Sequence, residues 1–170
     1  MKQIQFTRRL FLASSALGLA ACTAASARDR AKNPETSSYS DDEWRNLSEA
    51  EWKARLSPAA FAVLREHDTE RAFTSPLDKE TRAGVYHCAG CDLALFSSEA
   101  KFDSGTGWPS FWQPLPGVMG TSVDRRLFYP RTEYHCARCL GHQGHVFEDG
   151  PAPTGQRWCN NGVALTFKAA

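Results

Sequence analysis

Several things are scarce in this sequence, and each scarcity excludes something. Neither sign of charge dominates: 20 Lys and Arg stand against 19 Asp and Glu, a net of +1. Setting aside Lys2, Arg8 and Arg9 of the N-terminal leader turns that into −2. A surface that neutralises phosphates needs a cationic excess, so nucleic acid is not expected as a partner. The apolar run from Leu10 to Ala21 is too short and too rich in Ala and Ser to cross a bilayer. No internal repeat occurs beyond a doubled Cys-x-x-Cys, which excludes solenoids and propellers. At 170 residues there is material for one domain with a real core but not for two full ones. Spare thiols are scarce too. Of six cysteines, four form the pairs Cys88/Cys91 and Cys136/Cys139, and Cys22 lies in the leader, which leaves Cys159 without a structural partner.

Residues 1–27 read as an export address rather than as part of the fold. Thr7-Arg8-Arg9-Leu10-Phe11-Leu12 resembles the twin-arginine signal of bacteria, which makes the periplasm, or the envelope surface facing it, the expected location. Two cleavage readings stand side by side. Leu19-Ala20-Ala21-Cys22 is similar to a lipobox and would lipidate Cys22, the one route to a membrane, whereas Ala25-Ser26-Ala27 suits ordinary cleavage. Residues 28–46 are polar and read as a tether, and residues 47–170 as the catalytic domain.

In that domain Ser48 to Glu51 fits a capping box, with Trp52 and Leu56 on one helical face. Ser57-Pro58 ends that helix and caps a second, which would bury Phe61 and Leu64. Beyond Ala83 the pattern changes to short β-type runs at 84–87, 94–96, 127–129, 133–135, 145–147 and 164–167. The expected fold is therefore mainly β (α+β), a small helical layer on an antiparallel core, with a monomer expected.

Each Cys-x-x-Cys follows a strand-like run, Val85-Tyr86-His87 in one case and Glu133-Tyr134-His135 in the other. A strand leading into a tight turn lets two thiolates face one ion, and two such knuckles make a closed four-thiolate zinc site, structural rather than catalytic. The alternative is two disulfides, which export to an oxidising compartment would permit. Zinc is the preferred reading because a twin-arginine substrate travels folded and can load its metal in a reducing cytoplasm.

Between the knuckles runs Phe102-Asp103-Ser104-Gly105-Thr106-Gly107-Trp108-Pro109-Ser110-Phe111, a glycine-rich loop stiffened by proline, whose Phe111, with Trp112 after it, is assigned to the core. After the second knuckle come Gly141-His142-Gln143-Gly144-His145-Val146-Phe147-Glu148-Asp149-Gly150-Pro151 and Arg157-Trp158-Cys159-Asn160-Asn161. A lone thiol near Arg157 and two histidines has neighbours that can depress its pKa and activate it.

Together these segments closely resemble the B-type methionine-R-sulfoxide reductases, from about Leu47 to Phe167. The resemblance implies a zinc-stapled β fold with Cys159 as the nucleophile that takes oxygen from the sulfoxide and becomes a sulfenic acid. It implies that His142, His145 and Asn161 donate to or orient the departing oxygen. Trp108 would be the aromatic wall against the substrate methyl, and Arg157 with Asp149 a supporting charged pair. The implied partners are oxidised proteins as substrate and a thioredoxin-like or other external thiol reductant.

One departure bears on mechanism. Many family members carry a resolving cysteine where this chain has Thr106, so the sulfenic acid is expected to be reduced directly from outside. Gln143 and Gly162 stand where leucine and serine are usual. Two other classes remain in view, a cysteine hydrolase using Cys159, a histidine and Asn161, and a non-catalytic zinc-ribbon binding module.

Overall fold

A computed structural model describes residues 42–170. The expected leader, with Cys22 and both cleavage points, and most of the expected tether lie outside the described residues. Three short helices open the described part: α1 (Asp42–Arg45), α2 (Glu49–Arg55) and α3 (Pro58–Glu66). Ser48 and Glu51 form the capping box on α2, and Ser57 caps α3 with Pro58 at its first position. Trp52, Phe61 and Leu64 are buried, so both helices turn the expected faces inward. Residues 42–46, assigned to the tether, are instead tied to the second knuckle. Arg45 donates to the carbonyls of Ala137 and Arg138 at 2.9 and 3.2 Å.

Nine strands follow: β1 (Gly84–Cys88), β2 (Ala94–Ser97), β3 (Lys101–Phe102), β4 (Ser110–Phe111), β5 (Met119–Asp124), β6 (Arg131–Cys136), β7 (His142–Phe147), β8 (Arg157–Asn160) and β9 (Leu165–Ala169). They form a three-stranded sheet in the order β2-β1-β9 and a six-stranded sheet in the order β3-β4-β8-β7-β6-β5. Every pairing is antiparallel. The sheets meet through aromatic rings: Phe96 of β2 stacks on Phe111 of β4 at 4.1 Å, and Tyr86 of β1 meets Phe111 edge-on at 4.9 Å. Phe111 is fully buried and Trp112 packs partly buried against the same core.

One expected strand is absent. Leu127-Phe128-Tyr129 lies in the turn between β5 and β6, which pair as far as Asp124 and Arg131. Asp124 accepts from the Arg126 backbone N–H at 2.9 Å and starts the turn. The three apolar side chains face no layer and stay exposed. Strands β3, β4, β5 and β8 were not expected, because their polar residues (Ser110, Ser122, Asn160) break the apolar alternation that marks a strand.

Candidate active site

The four knuckle cysteines converge as their spacing requires. In each knuckle the same backbone bonds close the turn: Asp92 N–H to Cys88 O and Leu140 N–H to Cys136 O, both at 2.9 Å. The residue after the second cysteine, Asp92 or Leu140, is left-handed in both. All four sulfurs are buried and lie within 4.8 Å of one another. Cys88 and Cys139 Sγ are 3.7 Å apart, and Cys91 and Cys136 Sγ 3.5 Å. Thiolates about 2.3 Å from a tetrahedral ion sit about 3.8 Å from each other. The spacing therefore fits a four-thiolate dication site, and it is too wide for the S–S bonds of the disulfide alternative. Gln143 Nε2 donates to Cys88 Sγ at 3.3 Å, a hydrogen bond suited to a thiolate held by metal.

Of the remaining candidate residues, Cys159, His145, His142 and Arg157 meet on one face of the six-stranded sheet. Pairing opposes Ser110 to Cys159, Cys159 to His145, His145 to Glu133 and Glu133 to Ser122. Residues directly opposite in antiparallel strands share a face, so these five make one polar row across β4, β8, β7, β6 and β5. In a regular strand His142, three residues before His145, would point to the other side. It does not, because the β6/β7 register steps from Tyr134/Gly144 to His135/His142 and makes Gln143 the extra residue of a bulge. The bulge returns His142 to the face of His145, where the two rings lie 5.4 Å apart.

Each histidine has a carboxylate that sequence reasoning did not single out. His142 Nδ1 is 2.8 Å from Glu133 Oε1, and both residues are buried. His145 Nε2 is 2.8 Å from Asp124 Oδ2, whose carboxylate also receives Arg131. Burial pushes Glu133 up, but hydrogen bonds from His135, His142 and Ser122 overcome it and hold the carboxyl well below its usual range. The Arg126 backbone N–H, helped by His145 and Arg131 and opposed by burial, likewise keeps Asp124 low. Burial pushes the His145 imidazole below its ordinary value, with Asp124 opposing and Arg131 reinforcing the shift. Sequence carried no signal for Glu133: strand alternation sets it on the face opposite Tyr134, where a carboxylate ordinarily meets solvent, and only the covered second face buries it. His67 stacks on His142 at 5.0 Å. His67, His142 and Glu133 bring ligand-type atoms within 4.8 Å of one another, but three donors already occupy the Glu133 carboxylate.

Cys159 lines a cavity of about 110 Å³ with Trp108, His145, Phe147 and Asn161. A second cavity of about 340 Å³, lined by His67, Asp124, Glu133 and His142, shares His145 and Arg131 with the first. Arg157 sits two residues from Cys159 on the same strand face. It makes a two-pronged ion pair with Asp149 at 2.8 and 2.9 Å and covers the Phe147 ring at 4.3 Å. The expected charged pair is thus present. Its effect on the thiol differs from expectation, because burial pushes Cys159 above its ordinary value. Arg157 and the Thr106 hydroxyl pull the other way without overtaking it.

Glu70, also missed in the sequence, ties the cavity walls together. Its carbonyl accepts from Trp108 Nε1 at 2.9 Å, its N–H donates to Asn161 Oδ1 at 2.9 Å, and its carboxylate receives the Gly162 N–H at 2.6 Å. Asn161 Nδ2 donates to Gln143 O at 3.0 Å, which leaves one of its two N–H bonds for the cavity. With Oδ1 taken by Glu70, Asn161 cannot orient a histidine as a hydrolase triad requires.

A family model described as the SelR domain matches residues 56–169. The chain is 49% identical over 124 residues to a peptide methionine sulfoxide reductase MsrB of Agrobacterium fabrum, covering 72% of this chain and 92% of that one. It is 52% identical over 119 residues to the MsrB of Pseudomonas putida, covering 69% and 90%. With the chloroplastic reductase B1 of Arabidopsis thaliana it shares 50% over 129 residues, 75% of this chain and 64% of the plant protein. A β fold with a four-cysteine cluster and a lone thiol opposite a histidine defines a thiol-dependent enzyme class, and these matches make it a reductase. Within that class, the chain belongs to the B-type peptide methionine sulfoxide reductase family, the SelR family.

Proposed function

We propose that this protein reduces methionine-R-sulfoxide residues of oxidised proteins, with Cys159 as the nucleophile. The observation that supports this most is Cys159 lying opposite His145 across β7 and β8, on the wall of a cavity that also holds Trp108. Cys159 sulfur supplies an electron pair to the sulfoxide sulfur, the sulfoxide oxygen is protonated, and the oxygen ends on Cys159 as sulfenic acid while the thioether leaves. The balance is one thiol and one sulfoxide in, one sulfenic acid and one thioether out. The oxygen must lose its negative character for sulfur to be attacked, and His142 and His145 are the proton sources in their imidazolium forms, each held by Glu133 or Asp124 at one ring nitrogen while the other faces the oxygen. The free Asn161 N–H steadies the same oxygen. Trp108, anchored through its indole N–H, gives the substrate methyl an apolar wall, so the S epimer would turn its oxygen onto the ring.

Thr106 cannot form a disulfide, and the other cysteines among the described residues all belong to the four-sulfur cluster. An external thiol therefore attacks the sulfenic sulfur and releases water, and a second thiol frees Cys159 from the mixed disulfide. Cys88, Cys91, Cys136 and Cys139 would hold zinc, which contributes folding free energy and takes no part in the reaction. Export, with release into the periplasm or a lipid at Cys22, belongs to the same proposal and is checked by mass spectrometry of the mature N-terminus.

The deciding assay compares the unaltered chain with Cys159→Ser on both sulfoxide epimers of a blocked methionine, with dithiothreitol. Turnover of the R form alone, abolished in the variant, is expected. Equal turnover by the variant would refute the assignment. Substrate without reductant should leave a sulfenic acid on Cys159, and an intramolecular disulfide there would overturn the external-thiol step.

A further inference from the structure

The larger cavity, about 340 Å³, opens beside the thiol cavity and shares Thr69, Arg131 and His145 with it. The turn between β5 and β6 supplies one of its walls through Val123, Arg125 and Arg126. Sulfoxide chemistry at Cys159 gives that wall nothing to do.

The charges along it do not balance. Both carboxylates of the cavity are committed inside the protein: Asp124 receives Arg131, His145 and the Arg126 backbone N–H, and Glu133 receives His142, His135 and Ser122. Arg131 is neutralised by its ion pair with Asp124. The Arg126 guanidinium reaches only uncharged groups, the His67 carbonyl at 3.2 Å and the Glu66 carbonyl at 3.5 Å. Arg125 makes no hydrogen bond or ion pair among the described residues. Two guanidiniums thus border the cavity with no anion against them. A concavity lined by one sign draws the other, and a guanidinium fork matches a carboxylate.

The same turn carries Leu127, Phe128 and Tyr129, all exposed, and Val123 is exposed on the strand leading into it. Apolar side chains grouped on a surface mark a contact with a partner. Cations in a trough that runs on to the thiol, with apolar groups beyond them, suit an extended polypeptide. In an extended chain, side chains two residues apart point the same way, roughly 7 Å from each other. A bilayer also offers anions and apolar chains, but it is flat and these arginines line a concavity.

We propose that this cavity is the docking trough for the substrate polypeptide. The segment lies extended, with its oxidised methionine at Cys159, an acidic side chain two residues away against Arg125 and Arg126, and an apolar side chain on Phe128. The assignment rests on the reductase reading and names the kind of sequence that reading favours.

The experiment compares kcat/KM for blocked heptapeptides with a central methionine-R-sulfoxide, leucine at both ends, and Asp, Asn or Lys two residues to either side of the sulfoxide. In low salt the Asp peptide should exceed the Asn peptide about fivefold, with Lys last. At about 0.5 M salt the three should converge. Arg125→Glu should invert the order, and Phe128→Ser should raise KM for the Asp peptide several-fold relative to blocked methionine sulfoxide. Each readout compares substrates on one protein, so a general loss of activity cancels. An Asp preference that is absent, or that Arg125→Glu leaves unmoved, overturns the proposal. So does sedimentation with phosphatidylglycerol vesicles, or a concentration-dependent dimer, that Phe128→Ser abolishes while the peptide KM stays unchanged. Calorimetry on Cys159→Ser separates the two readings: tighter binding of the Asp than of the Asn peptide there, with no turnover by the unaltered chain, would support the trough and count against the proposed function alone.

Discussion

If Glu133 exists to aim His142, replacing its charge while keeping its shape should damage catalysis more than folding. Three donors reach the Glu133 carboxylate: His142 at 2.8 Å, His135 at 3.1 Å and Ser122 at 2.8 Å. Glu133→Gln keeps one acceptor oxygen and turns the other end into a donor, so one imidazole loses its partner. His135 and Ser122 are accessible enough to recruit water, whereas His142 is 2% exposed and cannot. Gln will therefore turn its oxygen to His142, whose bond loses its charge but not its partner, and the stability loss is roughly 1 kcal/mol. Removing the side chain in Glu133→Ala also empties its space and leaves His142 wholly unpaired, which should cost about 3–5 kcal/mol. Mutation of a partner that orients a catalytic ligand or base typically lowers activity about 10- to 100-fold. The measurement is kcat and KM for R-sulfoxide beside a thermal melt. For Glu133→Gln, kcat should fall by that factor while KM holds and the protein stays folded at 25 °C. A folded Glu133→Gln enzyme with unaltered kcat would show that the carboxylate does not position the proton donor.

Chelation of the cluster metal should unfold or loosen the domain rather than act as an active-site poison, because the knuckles at the ends of β1 and β6 join the two sheets; a metal-free form with full activity and an unchanged melt would contradict this. Stability should fall on acidification in two stages. His67 and His145 are pushed below their ordinary value by burial, so the unfolded chain protonates first as pH drops below about 6.5. Glu133 and Asp124 are held low in the fold, so a second loss follows as pH falls through about 4. Urea midpoints at pH 7.5, 5 and 3.5 should decrease in that order, and a flat or rising series would refute the assignments. Trp108→Phe keeps an aromatic wall but gives up the bond to the Glu70 carbonyl; KM for R-sulfoxide should rise several-fold with the epimer preference retained, and an unchanged KM would remove that anchor from the account.

The features legible in the chain are those whose physics is local. Ser48 with Glu51, and Ser57 with Pro58, mark helix starts because a cap acts within one turn. The Cys-x-x-Cys pairs announce a four-sulfur site because two thiolates three residues apart on a tight turn face one point. The apolar run at 127–129 misleads for the same reason: its composition suits a strand, but only the distant pairing of Asp124 with Arg131 decides that it is a turn. The polar strands β4 and β8 were hidden because burial, which justifies Ser110 and Asn160, is a property of the assembled sheet.

The same division runs through the site. Residue types, their order and the spare thiol at Cys159 point to the chemistry by themselves. The sequence says nothing of which carboxylate serves which imidazole, since Glu133 and Asp124 reach His142 and His145 across strand pairings. Nor does it reveal that one extra residue, Gln143, turns His142 onto the working face, or that burial outweighs Arg157 at the thiol. Bulges, cross-strand rows and desolvation are set by where remote segments meet, and that meeting is the work of the packed core.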